Sequence, residues 1–385
     1  MDAWLANSGD AAIALATVGL VRERAPQAAI LLAAEHGDVV GSRYPELEIC
    51  PPLSFLLGIE PAMPEGHGCD PAEARAIVAD ADVVLSQGGA FLTEAYQPWG
   101  RIAAYDQIRT LGLPYAFIAQ TISNFSDPQI RARLGRALRD AQAIGLRDEA
   151  SREHVEAMAG RSDHILVGAD VVFSSFPDPP PVNEQRGIAV LLSAHFLVDG
   201  AVPNRSTEVV PRLAEMMEGV LAIAPSEPVT VFSTVQGLGG LGRGIEDDSI
   251  FAASVVERVD PDAASRLTIV SDYVPTQDVI SLLRTHRAVV SMRVHPVIMG
   301  LSLGVPSVAL ERTAKVAALL GAECKTAVIA PSLADPGGVV DAVRRAYEAT
   351  ERGPVLWERL TPVRARASKN SVVVDKLLEA SALRG

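Results

Sequence analysis

The sequence predicts an α/β protein of two domains, each built on a mostly parallel sheet. Three observations lead there. Short apolar runs bounded by Gly, Pro or polar turns alternate with helix-like stretches, the rhythm of successive βαβ units. At 385 residues the chain exceeds the size at which one hydrophobic core stops growing, so two cores of under about 200 residues each are expected. And the run from Ser174 to Arg186 holds four prolines; it cannot supply strand donors and reads as a linker.

The elements follow in order. Asn7-Ser-Gly9-Asp10 leads into an alanine-rich helix, with Asn7 or Ser8 as its cap and Asp10 in its first turn. A capped helix start and a glycine loop holding a ligand both fit that tetrapeptide. Ala28 to Ala33 is a strand candidate, and the Pro/Gly-rich stretch from Cys50 to Pro71 reads as a loop. Ala81 to Leu92 gives a strand that breaks at Gly88-Gly89, where a backbone without Cβ lets a ligand lie close. Strands at Pro114–Gln120, Ala143–Leu146 and Ile165–Gly168 alternate with helices over Asp127–Ala141 and Arg147–Ala159. Arg147 and Asp148 fit either a pair-and-cap role or a substrate role.

Beyond the linker the rhythm restarts. Gly187 to Ser193 is a strand ending at His195, Val229 to Val235 another, and the glycine-rich 237–244 segment reads as a mobile loop without the Walker lysine. Leu267–Ser271 is a strand and Thr276–Thr285 a helix. Arg287 to Ser291 reads as a buried strand ending in Arg293-Val-His295, and Pro306 opens the next. A helix runs on past Lys315, Thr326–Ala330 closes the sheet, and Asp341–Glu351 and Leu356–Leu383 are helical. A domain at 1–178, a second at 187–365 and a terminal helix at 366–385 packing back on the first are expected.

Composition narrows the function classes. The formal charge of −13 argues against general nucleic-acid binding, which needs basic patches, and leaves room for a small anion held by a few arginines. Only four of the 34 basic residues are lysines, which draws attention to Lys315. Cys50, Cys69 and Cys324 have no C-x-x-C spacing, so neither a metal site nor a disulfide framework is expected. Apolar stretches fall short of the roughly 18 residues that span a bilayer. A cytoplasmic protein is expected, with peripheral membrane contact left open and the oligomeric state undetermined. A cation and an imidazole at a strand's carboxyl end, Arg293 and His295, suit an anionic substrate.

Together these pieces resemble the polysaccharide pyruvyl transferase family. The matching residues are Asn7-x-Gly9-Asp10, Gly88-Gly89, Ala119-Gln120-Thr-Ile-Ser, Leu146-Arg147-Asp148-Glu149-x-Ser151, Ser291-Met-Arg293-Val-His295 with Gly304-Val-Pro306, and Lys315. The resemblance implies a glycosyltransferase-B-like architecture, two Rossmann-like domains facing across a cleft, an acceptor side followed by a donor side. It implies pyruvyl transfer from phosphoenolpyruvate to sugar hydroxyls of a glycan or glycoconjugate, forming a ketal, with no metal or cofactor. Arg293, His295 and His195 are then the catalytic candidates, with Asn7, Gly9, Asp10, Gly88, Gly89, Gln120, Arg147, Glu311 and Lys315 as binding candidates. Two departures stand out: Ser193-Ala-His195 occupies the place of a family arginine, and only Met1–Ala6 stands where a first strand precedes Asn-x-Gly-Asp. A nucleotide-sugar glycosyltransferase, with Arg293 and Lys315 on a diphosphate and Glu311 on a ribose, is the alternative enzyme. A non-catalytic glycan or nucleotide-sugar binder is the alternative outside catalysis. Taken as structure alone, His295 is a packed histidine, Arg293 an ion pair with Glu311 or Asp272, and Lys315 an exposed helix residue.

Overall fold

The computed structural model describes residues 3–35, 37–60, 62, 67–68, 70–96, 98–179, 184–194, 205–235, 247–310, 319 and 335–382. The chain divides into two compact units, one of Met1–Leu5, Asp10–Ser175 and Val363–Gly385, the other of Ala6–Gly9 and Phe176–Pro362. No described helix is long and apolar enough to cross a membrane. The stretches 237–244 and 326–330, expected as a loop and a strand, lie outside the described residues.

In the first unit, β1 (Leu31–Ala33) and β2 (Glu48–Cys50) form a parallel pair. The Ala3 N–H donates to the Ala33 carbonyl at 2.8 Å, so a single parallel bridge from Ala3 to Ala34 stands where a first strand was missed. The main sheet holds β3 (Val84–Ser86), β4 (Gly89–Leu92), β5 (Tyr115–Ile122), β6 (Ile144–Leu146) and β7 (Ile165–Val167). Its order is β3-β5-β6-β7, with β4 also on β5, and every pairing is parallel. β5 is central and buried at every position but Thr121, which is why it reads as a continuous apolar run rather than an alternating one.

Helices cover this sheet because their starts and stops are written locally. Asp127 caps Pro128–Asp140, accepting from the Gln129 N–H at 2.7 Å with proline at the first helical position. Asp148 caps Glu149–Ala159, which ends at Gly160 in the left-handed region. Ile102, Tyr105, Leu134, Leu138 and Val155 pack with Phe117 in one core, each worth roughly 1.5–3 kcal/mol of burial. The final helix Asn370–Ala382 belongs to this unit; Asn370 Nδ2 donates to the Ala169 carbonyl at 3.1 Å.

The second unit has β8 (Ile188–Leu191), β9 (Val229–Phe232), β10 (Leu267–Val270), β11 (Ala288–Ser291) and β12 (Ser307–Ala309). They lie parallel in the order β10-β9-β8-β11-β12. Numbered from the first strand of the unit this is 3-2-1-4-5, a doubly wound Rossmann order, and the direction of travel reverses between β8 and β11. The helices Arg205–Ile223 and Pro336–Glu348 pack closely; a Cβ on Gly219 would lie 2.4 Å from Val340 Cγ2.

Candidate active site

Open α/β sheets bind ligands beyond the carboxyl ends of the strands at the point where strand order reverses. In the second unit that point lies between the ends of β8 and β11. Met292 N–H donates to the Leu191 carbonyl at 2.9 Å, and Ser193 N–H faces Met292 Sδ at 3.4 Å. Arg293 therefore stands at the switch point. β11 itself ends at Ser291. Arg293 is the N-cap of the helix Val294–Ser302, which no side chain caps, and His295 lies in its first turn. The sequence reading put both at a strand end; the helix starts sooner because Ser291 Oγ accepts the Arg293 N–H at 3.0 Å and turns the chain.

The Arg293 guanidinium is held by an acid that the sequence reading passed over. Nε donates to Asp248 Oδ2 and Nη2 to Asp248 Oδ1, both at 2.9 Å. Asp248 is fully buried while the Arg293 side chain keeps 18% exposure, so one edge of the fork is anchored inside and the arginine still reaches the surface. Asp248 Oδ1 also accepts the Ala194 N–H at 2.8 Å. Burial pushes this carboxyl above the ordinary aspartate range, and Arg293, Ala194 and the Ser193 hydroxyl pull it back. Arg293 pairs with Asp248 where Asp272 was one expected partner; the other, Glu311, lies outside the described residues.

Residues 6–9 build the other wall of the same unit. Asn7 bridges Val235 in antiparallel sense, and the Ser8 N–H donates to the Thr234 carbonyl at 2.8 Å. Thr276 Oγ1 donates to the Ser8 carbonyl at 2.7 Å, and Asn7 Oδ1 accepts the Gly9 N–H at 2.9 Å, the expected cap of the helix Ser8–Arg24. A Cβ on Gly9 would fall 2.6 Å from His295 Nδ1. The close approach for which this glycine is needed is thus to the imidazole.

The contacts close on themselves. Asp248 N–H donates to the Val235 carbonyl at 3.0 Å, Val235 pairs with Asn7, Asn7 fixes Gly9, and Gly9 seats His295, two residues from Arg293. The structure brings Asn7, Gly9, Arg293 and His295 together with Asp248.

In the first unit, Asp10, Gly88, Gly89, Gln120 and Arg147 gather around the carboxyl end of β5. Gln87 Nε2 donates to the Asp10 carbonyl at 3.1 Å, Gln120 Nε2 donates to the Gln87 carbonyl, and Gly89 pairs with Gln120. A Cβ on Gly88 would lie 2.9 Å from the Ile118 and Ala119 carbonyl oxygens. That crowding comes from a bulge in β5, where Ala119 takes φ 46°. Arg147 is buried; its Nη1 donates to Asp170 Oδ2 at 2.6 Å and its Nε to Thr121 Oγ1 at 2.8 Å. Its ionic partner is Asp170, while the neighbouring Asp148 serves as the helix cap. His195, Glu311 and Lys315 lie outside the described residues. Among the described residues no cluster of three His, Cys, Asp or Glu could hold a metal ion.

A family model described as polysaccharide pyruvyl transferase matches residues 7–313, from the Asn7 motif past Arg293 and His295. The chain belongs to the polysaccharide pyruvyl transferase family. No curated protein matches this family member's sequence. Its structure is similar to a UDP co-structure of MnaA from S. aureus, with TM-score 0.61 and 9% identity over 95% of this chain and 92% of that one. It is similar to a UDP-GlcNAc 2-epimerase from Neisseria meningitidis bound to UDP-GlcNAc, with TM-score 0.59 and 13% identity over 96% of each chain. A putative UDP-N-acetylglucosamine 2-epimerase from Listeria monocytogenes gives TM-score 0.59 and 12% identity over 97% of this chain and 93% of that one. At such identities the likeness shows the fold: this polysaccharide pyruvyl transferase family member is glycosyltransferase-B-like, with mostly parallel sheets.

Proposed function

We propose that this member of the family moves a pyruvyl group from phosphoenolpyruvate to two hydroxyls of a sugar in a glycan or glycoconjugate, forming a ketal. The observation that carries the reading is the arginine fork fixed at the switch point of the second unit with an imidazole two residues away. Phosphoenolpyruvate carries a carboxylate and a phosphate, and a planar guanidinium suits either. The start of the helix Val294–Ser302 is the positive end of its dipole and favours the same charge.

The chemistry divides among these groups. One sugar hydroxyl adds to C2 of the enol phosphate and gives up its proton as the methylene carbon takes one up and becomes methyl. The C2–O bond to phosphate then breaks, phosphate leaves with the electron pair, and the second hydroxyl adds to C2 as it loses its proton. His295 is the group assigned to move a proton between hydroxyl and methylene, the work a positioned imidazole does in general acid–base catalysis. Arg293 holds an anionic group in place.

The test is phosphate release from phosphoenolpyruvate in the presence of candidate glycan acceptors. Release that depends on acceptor is expected, with Arg293→Ala lowering it about 10²–10³-fold and His295→Ala about 10²–10⁴-fold. No release with any acceptor, together with binding of UDP-N-acetylglucosamine, would turn the reading to a nucleotide-sugar enzyme or binder.

A further inference from the structure

We infer that Asp248 is the positioning residue of this site: its buried carboxylate ties the end of β8 to Arg293 and fixes the direction in which the remaining guanidinium N–H groups point. The inference rests on the reading of Arg293 as the group that binds the donor's anion. Asp248 would otherwise be explained as part of a helix start, the ordinary role of an acid in that place. That role is filled by its neighbour. Asp247 caps the helix Asp248–Val256, accepting from the Ser249 N–H at 2.9 Å and from the Ile250 N–H. The Asp248 side chain adds nothing to the cap and turns inward.

A stability role is a poor explanation as well. Removing a carboxylate and a guanidinium from water costs about what their attraction returns, and apolar replacements of such pairs are often as stable. What the pair supplies is geometry. Two parallel N–H···O contacts leave the guanidinium no freedom to rotate, and Asp248 is itself held at both ends. Its Oδ1 accepts the Ala194 N–H at 2.8 Å, and its own N–H donates to Val235 at 3.0 Å. The carboxylate thereby ties Ala194, just past the end of β8, to Arg293, just past the end of β11. With Nε and one Nη2 hydrogen committed to Asp248, Nη1 and the second Nη2 hydrogen form the edge that a bound carboxylate or phosphate meets, without the ordering cost a loose arginine carries.

A double-mutant cycle tests this on the full chain, with phosphoenolpyruvate affinity read by calorimetry and melting temperature read in parallel. In Asp248→Asn the Nδ2 donor faces the Arg293 Nε donor, and the fork loses its anchor. Affinity is expected to fall at least tenfold in Asp248→Asn and in Arg293→Ala, while Asp248→Asn added to Arg293→Ala costs less than twofold more, because the two act as one unit. Unchanged affinity in Asp248→Asn, or losses that simply multiply in the double variant, overturns the inference. If Asp248→Asn does not fold, Nε–H exchange in the wild-type protein decides, with Arg293→Lys assigning the signal: protection supports the pair, and exchange as fast as that of exposed arginines overturns it. Phosphate release separates the two readings. A wild type that binds phosphoenolpyruvate without releasing phosphate sinks the transfer reaction and leaves the coupling measurable. A wild type that binds UDP-N-acetylglucosamine instead is put through the same cycle with that ligand, and binding of neither ligand overturns both readings.

Discussion

At the scale of single residues, Gly9 and His295 form a tight contact in the second unit that one added methyl would break. Adding one methyl at Gly9 places it 2.6 Å from Nδ1 and 3.0 Å from Cβ and Cγ of His295. The ring is buried in the first turn of its helix, so it has to shift to make room. Gly9→Ala is expected to destabilise the unit by about 1–3 kcal/mol and to lower turnover along with it. In Gly9→Ala/His295→Ala the missing ring leaves space for the new methyl, so the thermal penalty of Gly9→Ala should shrink against a His295→Ala background. Equal penalties in both backgrounds, read by melting temperature, would show that the methyl strikes something else. The glycine of Asn7-x-Gly9 was legible in the sequence as a position of close approach. Its partner was not, since the sequence-distant imidazole shares no local pattern with it. Asp248 was hidden for a different reason: in Glu246-Asp247-Asp248 it reads as one more acid at a solvated helix start, and only burial separates it from Asp247.

At the scale of elements, the carboxyl ends of β5, β6 and β7 are joined by a polar chain that the sequence showed only as separate short motifs. Thr121 at the end of β5 donates to Asp148 Oδ2 at 2.8 Å and accepts from Arg147 Nε, and Arg147 ends on Asp170 beyond β7. The Arg147 and Asp170 side chains keep only 4% and 1% of their exposure. Removing one partner strands a buried charge, so Asp170→Ala is expected to cost about 3–5 kcal/mol, visible as a fall in the denaturation midpoint. A loss under about 1 kcal/mol would mean that water reaches Arg147. Strand and helix positions were legible here because apolar runs and Asp-Pro starts are local signals; Pro128–Asp140 falls where its Asp127 cap puts it, and Thr276–Thr285 where its apolar spacing does. The bulge at Ala119 was not, because an alanine at φ 46° is imposed by the surrounding sheet at a cost of about 1–3 kcal/mol. Gly88 follows from it: its missing Cβ makes room for the bulged carbonyls. The stretch expected to be helical over Leu356–Leu383 is divided among three helices, Pro354–Arg359, Thr361–Ala367 and Asn370–Ala382; Pro362 has no N–H to carry the ladder of the first into the second.

At the scale of the whole molecule, each unit holds a buried histidine whose charged form desolvation disfavours, and this gives the protein a pH response. In the first unit His164 Nε2 donates to the Leu138 carbonyl at 2.8 Å. In the second, His286 Nδ1 donates to the Leu282 carbonyl at 2.7 Å and Nε2 meets Thr230 Oγ1 at 2.9 Å. Desolvation lowers the pKa of both, more than their backbone hydrogen bonds restore. Below the unfolded value of about 6.5 the unfolded chain therefore takes up protons that the folded units refuse, and stability falls with falling pH. The contribution is fully present above about pH 6.5 and is lost as pH drops below that value toward the depressed folded pKa values. Asp163, held down to about 2 by Arg161, responds only below its unfolded value near 3.9, outside this window. Asp248, pushed up by burial, works in the opposite sense, so the histidine variants rather than the total slope carry the test. Denaturant midpoints measured between pH 7.5 and 5.0 should fall in the wild type and fall less in His164→Gln and in His286→Gln, the two effects adding because the sites lie in separate units. A slope left unchanged by both substitutions would assign the acid response to carboxylates.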